Sequence, residues 1–465
     1  MELDLERSKN IHLVGVGGCG MSGIARVLHE MGFKVSGSDI KEGVNTIRLK
    51  DLGVKIFIGH EGSQVRDADS LVYSSAVKPD NPELTEAAAK GIRAFRRAEV
   101  LAWIMARSKN RVAVAGTHGK TTTTAMTARV LEAAQLNPTY LIGCDMDYAD
   151  GNARLGAGAY VVAEADESDS SFLCYQPTIE VITNIEADHM EHFGSLDELT
   201  ATFERFMDRL AGEGLIVIDG TDPNNKLLMA KRKQRSVTYG LDPAMEWNAA
   251  DLSFENYSSR YVLRRGRDEL GAVALSVPGW QNILNSLAVF AVGCELGLDF
   301  NAIAGALRSF VGVRRRFSTV GEQDGILIID DYAHHPTEIK ATLAAARSGW
   351  PKSRVICVFQ PHRFTRTMIL KDQFAGAFDN ADKVIITDIY AASENPIPGV
   401  TGKTIADLLA PEKTLFVPKK EQIAEQLVKD LKAGDIVLTL GAGDIYTVGK
   451  EILARLKMKG ADKSP

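Results

Sequence analysis

Residues 111–124 read Arg-Val-Ala-Val-Ala-Gly-Thr-His-Gly-Lys-Thr-Thr-Thr-Thr, a short β-branched strand that ends in a glycine turn, and a helix-forming segment follows from Ala125 to Ala134. Glycines let backbone N–H groups close on an anion, and the helix N-terminus adds its positive end. Lys120 can reach the β- and γ-phosphates of a nucleotide, and the hydroxyl of Thr121 or Thr122 can hold Mg²⁺. The loop is a contracted form of the standard phosphate-binding pattern, and it predicts an ATP site.

The bulk properties of the chain predict a multidomain cytoplasmic protein. A length of 465 residues is too great for one core, so we expect two or three domains. The net charge of -6 and the absence of a basic stripe argue against a nucleic-acid partner. The charged N-terminus is unlike a signal peptide, and no apolar run approaches the roughly 20 residues that would span a membrane. The five cysteines lack metal-type spacing and are expected to be buried thiols of a reducing cytoplasm.

Alternating strand and helix patterns predict three α/β modules in a row. The first module begins with a strand at Ile11, a Gly15-x-Gly17-x-x-Gly20 loop and a helix from Met21 to Met31. A second strand–glycine–helix unit begins at Arg111, after a boundary near residues 105–110. Its later part, from about residue 234 to 277, is rich in turns and is expected to be more antiparallel. The third module follows the arginine run at 314–316, and its last strand leads into Gly-Ala-Gly-Asp at 441–444.

The glycine pattern of the first module is open to two interpretations. A dehydrogenase would use Gly15, Gly17 and Gly20 for a dinucleotide and Asp39, about 20 residues later, for its ribose. Alternatively, the module holds a second, nucleotide-like substrate. The phosphate loop at Gly116 favours the second interpretation, because a Lys-Thr loop indicates phosphoryl chemistry.

Carboxylates and an imidazole follow two strands of the middle module. The first group is Glu-Ala-Asp-Glu-Ser-Asp at 164–169, and the second ends in Asp188 and His189. Strand ends in an open α/β sheet border the ligand crevice, and Mg²⁺ takes oxygen ligands from one or two carboxylates and from phosphates. An acidic surface loop and a core histidine are the alternatives, but the two groups together favour a metal site at Glu167 and His189.

These motifs resemble those of the ATP-dependent Mur ligases of peptidoglycan synthesis. The resemblance spans nearly the whole chain, and within the family it is strongest to the branch that joins L-alanine to UDP-N-acetylmuramate. The motifs that carry it are Gly-Thr-His-Gly-Lys-Thr-Thr (116–122), Glu-Ala-Asp-Glu-Ser-Asp-x-Ser-Phe (164–172), Thr-Asn-Ile-Glu-x-Asp-His (183–189), Gly-Val-Gly-Gly-x-Gly-Met-Ser (15–22), Ser-Ser-Ala (74–76), Gly-Val-Arg-Arg-Arg-Phe (312–317), Asp-Asp-Tyr-Ala-His-His-Pro-Thr-Glu (330–338), Gln-Pro-His-Arg-Phe-Thr-Arg-Thr (360–367) and Gly-Ala-Gly-Asp-Ile (441–445).

The resemblance implies a three-domain α/β ligase. A Rossmann-like UDP-sugar domain would occupy residues 1–107, a central P-loop ATPase-like domain 108–312, and a Rossmann-like C-terminal domain that binds the amino acid 313–465. It implies a reaction of ATP, Mg²⁺, UDP-N-acetylmuramate and L-alanine through an acyl phosphate, with ADP and phosphate released. It further implies a cytoplasmic monomer or weak homodimer with neither nucleic acid nor membrane as a partner.

The resemblance also assigns roles to individual residues. The expected ATP contacts are Gly116, Thr117, His118, Gly119, Lys120, Thr121 and Thr122 at the phosphates and Asn282 at adenine. The expected metal ligands are Thr121, Glu167 and His189. The groups expected to act in catalysis are Lys120, Glu167, His189, Arg315, His335, Arg363 and Arg366. The expected UDP-sugar contacts are Gly15, Gly17, Gly18, Gly20, Asp39, His60 and Ser75. The base that deprotonates the amine is open between His335 and water.

Two departures from the family pattern bear on these expectations. The residues before Asn282 are Trp280 and Gln281, where the family usually has Arg-His, which leaves the stacking on adenine open. Residues 197–210 contain no lysine, whereas some sister ligases use a modified lysine there. The closest alternative is the ligase that recycles a preformed tripeptide. Folylpolyglutamate synthetase, a dehydrogenase and a non-catalytic nucleotide-binding protein explain fewer of the motifs.

Overall fold

The structure is a computed structural model that describes residues 4–146 and 151–461. Its chain divides into two compact units. The first comprises Met1–Ala249, Leu263–Leu270 and Asn285–Leu307, and the second comprises Ala250–Val262, Gly271–Leu284 and Arg308–Pro465. In the described part of the chain, no helix combines the length and the apolar character needed to cross a membrane.

A parallel sheet of five strands forms the N-terminal part of the first unit. Its order is β3-β2-β1-β4-β5, so the chain changes direction between β1 and β4, and the carboxyl ends of these strands border a crevice. Strand β1 is buried over Ile11–Val14, as expected of a central strand covered on both faces. The elements are β1 (Asn10–Val14), α1 (Cys19–Glu30), β2 (Lys34–Asp39), α2 (Val44–Asp51), β3 (Lys55–Ile58), β4 (Ser70–Tyr73), α3 (Pro82–Ala89), β5 (Arg93–Arg96) and α4 (Arg97–Ala106).

The second sheet has ten strands in the order β15-β14-β13-β12-β11-β10-β6-β9-β7-β8. Its parallel core runs from β12 to β7 and lies in the first unit, with β6 between β10 and β9. The elements are β6 (Asn110–Ala115), α5 (Lys120–Ala133), β7 (Thr139–Leu141), β8 (Ala153–Arg154), β9 (Tyr160–Glu164), β10 (Ile179–Ile182), α6 (Met190–Phe193), α7 (Leu196–Met207), β11 (Leu215–Asp219), α8 (Pro223–Ala230), β12 (Ser236–Gly240), β13 (Trp247–Glu255), β14 (Ser258–Arg265), β15 (Asp268–Leu275), α9 (Trp280–Glu295) and α10 (Phe300–Arg308).

The third sheet lies in the second unit and has the order β16-β17-β21-β18-β19-β20. All its pairings are parallel except that of the edge strand β16 with β17. The elements are β16 (Ser318–Gln323), β17 (Ile326–Asp331), α11 (Pro336–Gly349), β18 (Val355–Phe359), α12 (Phe364–Ile369), α13 (Lys371–Phe374), β19 (Lys383–Ile386), α14 (Lys403–Ala406), β20 (Thr414–Phe416), α15 (Ile423–Leu427), β21 (Ile436–Leu440) and α16 (Tyr446–Ala461). Short 3₁₀ helices lie at Asp4–Arg7, Gly62–Val65, Ser171–Cys174 and Lys420–Gln422.

Two details of the sequence interpretation were wrong. The helix after the phosphate loop begins at Lys120, ahead of the predicted Ala125, because the threonines of its first turns are accommodated within the helix. The Thr124 and Thr127 hydroxyls donate to carbonyls four residues earlier, each at 2.8 Å. The expectation that the cysteines are buried holds for Cys357, whereas Cys19 and Cys174 are exposed. The turn-rich region begins with β12, which pairs in parallel with β11.

Candidate active site

The phosphate loop joins β6 to α5 and depends on two glycines with positive φ. Gly116 has φ +130°, and a Cβ there would lie 2.0 Å from the Thr183 hydroxyl. Gly119 caps α5 at φ +86°, and a Cβ there would lie 2.7 Å from Oδ1 of Asn285. Asn285 also accepts a hydrogen bond from the Thr123 hydroxyl at 3.2 Å. These close approaches fix the entry of the loop into the helix and exclude any larger residue at either glycine.

The residues that follow β10 hold the loop from its other side. The Thr183 hydroxyl and the Asn184 amide both donate to the His118 carbonyl, at 2.6 and 3.1 Å. In return, the His118 N–H donates to Oδ1 of Asn184 at 2.8 Å, and the Thr117 N–H donates to the Asn184 carbonyl at 2.8 Å. The predicted phosphate loop and the predicted segment 183–189 therefore follow adjacent strands, and Thr183 and Asn184 join them directly.

The ammonium group of Lys120 lies across the loop. Nζ donates to the carbonyls of Gly116 and Thr117, at 2.5 and 3.1 Å, and pairs with Glu167 at 2.8 Å. Burial opposes the charge on this lysine, but the facing carboxylates of Glu167 and Asp166 outweigh it and raise the pKa of Lys120. The amine therefore stays protonated, as a group that neutralises phosphate must.

Three candidate metal ligands occupy the same end of the second sheet. The Thr121 hydroxyl donates to Oε1 of Glu164 at 3.0 Å, so of the two candidate threonines it is Thr121 that faces a carboxylate. Glu167 is buried beside Lys120. His189 has φ +56°, and its charge influences the ionisation of Glu167. A hydroxyl, a carboxylate and an imidazole beside a phosphate loop suit a divalent cation that takes its remaining ligands from phosphate and water.

The glycine loop of the first sheet is fastened by Asp39. The Gly17 N–H donates to Oδ2 of Asp39 at 2.9 Å, and a Cβ on Gly17 would lie 2.8 Å from the same atom. The backbone N–H groups of Gly15 and Val16 both donate to the Ser38 carbonyl. One oxygen of Asp39 thus serves the loop itself, which weakens the dehydrogenase interpretation, in which Asp39 binds a ribose. Gly18 and Gly20 lie in the turn that starts α1.

His60 belongs to a polar network centred on Glu83, which the sequence interpretation missed. Glu83 is fully buried and accepts hydrogen bonds from His12 at 2.9 Å, His60 at 2.7 Å and the Ser38 hydroxyl at 2.7 Å. Burial alone would raise its pKa, but these donors prevail and lower the pKa of Glu83. Ser75, the remaining predicted UDP-sugar contact, is exposed in the turn after β4.

Arg315 lies at the carboxyl ends of β17 and β21 in the second unit. Its guanidinium pairs with Asp330 at 3.2 Å, donates to the Gly441 carbonyl at 2.7 Å, and lies 5.0 and 4.9 Å from the ring centres of Tyr332 and Tyr446. Its backbone is left-handed, with φ +61°. A guanidinium held between two rings and a carboxylate has a fixed direction, as an electrostatic role requires.

The other predicted residues of the second unit lie at neighbouring strand ends or helix starts. His335 caps α11, where its Nδ1 accepts from the Thr337 N–H at 3.3 Å. Arg363, at φ +70°, starts α12, and Arg366 in that helix is bonded to the His362 ring at 3.2 Å. Asn282 lies in the first turn of α9, and its side-chain amide donates to the Pro278 carbonyl at 2.7 Å.

Two supporting residues were absent from the predicted site although the sequence carries a weak signal for each. Asn285 is a polar residue within the apolar run of α9 and is 8% exposed. Glu83 follows Asn81-Pro82 at a helix start, where an acidic residue is typical of an ordinary first-turn charge. In both cases the sequence shows the polar residue but not its partner.

Family comparisons cover most of the chain. Residues 10–109 match the description "Mur ligase family, catalytic domain", residues 114–293 match "Mur ligase middle domain", and residues 315–443 match "Mur ligase, glutamate ligase domain". Among curated relatives, UDP-N-acetylmuramate–L-alanine ligases of Desulforamulus reducens and Pelotomaculum thermopropionicum are each 46% identical over 97% of this chain and 99% of their own.

Solved structures agree with this assignment. The UDP-N-acetylmuramate–alanine ligase MurC of Thermotoga maritima superimposes with a TM-score of 0.83 at 32% identity, covering 97% of this chain and 100% of its own. A murein peptide ligase of Psychrobacter arcticus, at 23% identity and a TM-score of 0.71, shares the fold. The three-domain α/β fold predicted from the sequence is thereby confirmed, and the chain belongs to the Mur ligase family.

Proposed function

We propose that this enzyme joins L-alanine to the lactyl carboxylate of UDP-N-acetylmuramate, with ATP converted to ADP and phosphate through an acyl phosphate. The observation that carries the proposal is the phosphate loop with Lys120 set against Glu167, in a chain 46% identical to ligases that bear this name. A carboxylate is a poor acyl donor, so its oxygen must first be phosphorylated before an amine can displace phosphate.

The residues of the first unit would neutralise the negative charge of the phosphates during this phosphoryl transfer. Loop amides from Gly116 to Thr122 and the Lys120 ammonium would hold the β- and γ-phosphates. Thr121, Glu167 and His189 would hold Mg²⁺, which would neutralise charge on the transferring group. The glycine loop at Gly15–Gly20, with Asp39, His60 and Ser75 near it, would hold the UDP-sugar.

The residues proposed to act from the second unit are Arg315, Arg363, Arg366 and His335, with Asn282 at adenine. The arginines would stabilise the charge that develops on the transferred group. The hydrogen bond from the Thr337 N–H to Nδ1 of His335 places the proton of a neutral ring on Nε2. A neutral His335 with its proton on Nε2 and a hydrogen bond at Nδ1 has no nitrogen left to accept a proton, so we propose that water removes the proton of the attacking amine.

We further propose that the enzyme is cytoplasmic, because both of its proposed nucleotide substrates are cytoplasmic metabolites. We also propose that it acts as a monomer or weak homodimer. Neither nucleic acid nor a membrane is needed as a partner.

Phosphate release is the direct test of this function. The purified enzyme, given ATP, Mg²⁺ and UDP-N-acetylmuramate, should release phosphate with L-alanine and at least 100-fold more slowly with a cell-wall tripeptide. Preference for the tripeptide would establish the recycling reaction instead. Phosphate release without the UDP-sugar, or NADH oxidation with a hydroxy acid, would contradict the ligase assignment.

A further inference from the structure

Arg97, the first residue of α4, extends its guanidinium to the glycine loop of the first sheet. A Cβ on Gly20 would lie only 3.0 Å from Nη1 of Arg97 and 3.7 Å from its Cζ. The arginine therefore lies against the first turn of α1, and the absence of a side chain at Gly20 provides the room for it. Both residues belong to the first unit.

The guanidinium of Arg97 has more hydrogen-bond donors than partners. It carries five N–H groups, yet within residues 4–146 and 151–461 its one hydrogen bond is from Nη2 to the Ser171 hydroxyl, at 3.5 Å. That distance is at the outer limit for a hydrogen bond. A partly buried arginine normally meets a carboxylate or several carbonyls, because desolvating a cation without partners is costly.

The charge on Arg97 is stabilised only at longer range. Burial opposes the charge, but Tyr175, Asp166, Asp169 and Glu164 outweigh it and raise the pKa of the arginine. No ion pair within 4 Å joins Arg97 to an acidic residue in the described part of the chain. The guanidinium is thus a cation attracted toward the acidic loop at 164–169. The N–H groups at its edge can bind a further anion.

The neighbouring helix start presents a second set of donors. The cap residue of α1 is the exposed Gly18, which has no side chain that could cap the helix. The first N–H groups of a helix have no intrahelical acceptor. Because Arg97 lies against Gly20 in the first turn of α1, its guanidinium is adjacent to the first N–H groups of this helix. Clustered amides with a guanidinium at one side suit a multiply charged, phosphate-like group.

We propose that Arg97 binds the diphosphate of the UDP-sugar, as a positioning residue that fixes the substrate between the glycine loop and the acidic loop. This proposal rests on the function proposed above, in which the glycine loop holds UDP-N-acetylmuramate. The guanidinium would form two parallel hydrogen bonds to phosphate oxygens, and its separation from any carboxylate leaves those donors available. Gly20 would contribute by leaving room for the guanidinium at this position.

Direct binding of UDP and uridine tests the proposal without relying on ligation. Isothermal titration should show UDP binding weakened at least tenfold in Arg97→Met, with uridine binding unchanged within twofold. Arg107→Met is the matched control, because Arg107 caps the other end of α4, pairs with Glu6 at the surface and should leave UDP binding within twofold. Gly20→Ala should weaken UDP binding in the same direction.

Two other outcomes overturn the assignment. Unchanged UDP binding in Arg97→Met, with a raised KM for UDP-N-acetylmuramate, would show that the arginine contacts the lactyl carboxylate. An equal loss of UDP and uridine binding would show a merely structural role. If the wild-type enzyme failed to ligate alanine yet lost UDP binding on Arg97→Met, the proposed function would fail while the arginine assignment stood.

Discussion

At the scale of single residues, two buried glutamates of the first unit have opposite surroundings. Glu83 accepts three side-chain hydrogen bonds, whereas both carboxyl oxygens of Glu180, on β10, lack a hydrogen-bond partner among the described residues. Burial raises the pKa of Glu180 well above its usual value, with Arg232 only partly opposing the increase. Glu180 is therefore protonated in the folded protein over a pH range in which it is ionised in the unfolded chain.

Glu180→Gln should make the free energy of unfolding less dependent on pH. Since the pKa of Glu180 is raised on folding, its neutral form stabilises the protein fully below the unfolded pKa, and this stability is lost as pH rises through the folded pKa. Chemical denaturation should therefore give similar stabilities for wild type and variant near pH 5. Near pH 8 the variant should be more stable by about 1 kcal/mol or more, since a tenfold change in proton affinity on folding corresponds to about 1.4 kcal/mol. A difference that does not grow with pH would contradict the buried, neutral carboxyl.

The Lys120→Met substitution should lower both the folding stability and the activity, and a second substitution should restore only the stability. Removing the cation that is proposed to bind phosphate should lower kcat/KM by at least 1,000-fold. Leaving Glu167 buried without its partner should cost about 3 kcal/mol of folding free energy. Adding Glu167→Gln should recover most of that stability and none of the activity. Denaturation curves of both variants measure the free energy of unfolding, and phosphate release measures kcat/KM. Turnover within tenfold of wild type in either variant would disprove the role of the loop.

At the scale of elements, the strand–loop–helix unit at β6 and α5 is rigid because β10 and α9 hold it. Its carbonyls and amides bond to Thr183 and Asn184, and Asn285 accepts from Thr123 in the second turn of α5. The glycines are required where the loop approaches these neighbours, and a side chain there would displace the loop as a whole.

Gly116→Ala should therefore abolish ATP turnover, since its Cβ would lie 2.0 Å from the Thr183 hydroxyl. Gly91→Ala is the matched control, because Gly91 also has positive φ, at +68°, but no atom lies within 4 Å of a Cβ there. The control should lose about 1 kcal/mol of stability from backbone strain alone and keep its activity. Comparable activity in the two variants would show that close approach is not what requires glycine at the loop.

The sequence predicted the elements that carry the site better than the contacts that support them. A glycine turn or carboxylates directly after a buried strand are local patterns, so the loop at Gly116 and the acidic segment at 164–169 could be placed at sheet ends from their own residues. Thr123 and Asn285 are 162 positions apart, and His12 and Glu83 are 71 apart. Such pairings depend on how the helices pack, which no local pattern records. The domain boundaries at residues 107 and 312 remain predictions.

At the scale of the whole molecule, the proposed reaction needs the cations of both units. The first unit contains Lys120 and its metal-ligand candidates, and the second contains Arg315, Arg363 and Arg366 in fixed positions of their own. A variant in either unit should stop the first chemical step, the phosphorylation of the substrate carboxylate, and not only the later formation of the amide.

Isotope transfer tests this order of events. With ¹⁸O in the carboxylate of UDP-N-acetylmuramate, one label per turnover should appear in inorganic phosphate, because the attacking oxygen leaves with phosphorus when the amide forms. Lys120→Met and Arg315→Ala should each suppress the transfer, measured by mass spectrometry of phosphate. Label in AMP, with release of pyrophosphate, would instead establish adenylation of the carboxylate and refute the acyl phosphate.

The left-handed backbone at His189, Arg315 and Arg363 has a consequence for directed evolution of this enzyme. A non-glycine residue in that region costs of order 1 kcal/mol or more, so glycine at any of the three positions would relieve strain while deleting a group that the reaction is proposed to need. At Arg315 the loss of the ion pair with Asp330 offsets that gain, so a library selected for heat resistance alone should accumulate glycine at His189 and Arg363 and return inactive proteins. Thermostable variants that still make product will come only from selections in which turnover is scored in every round.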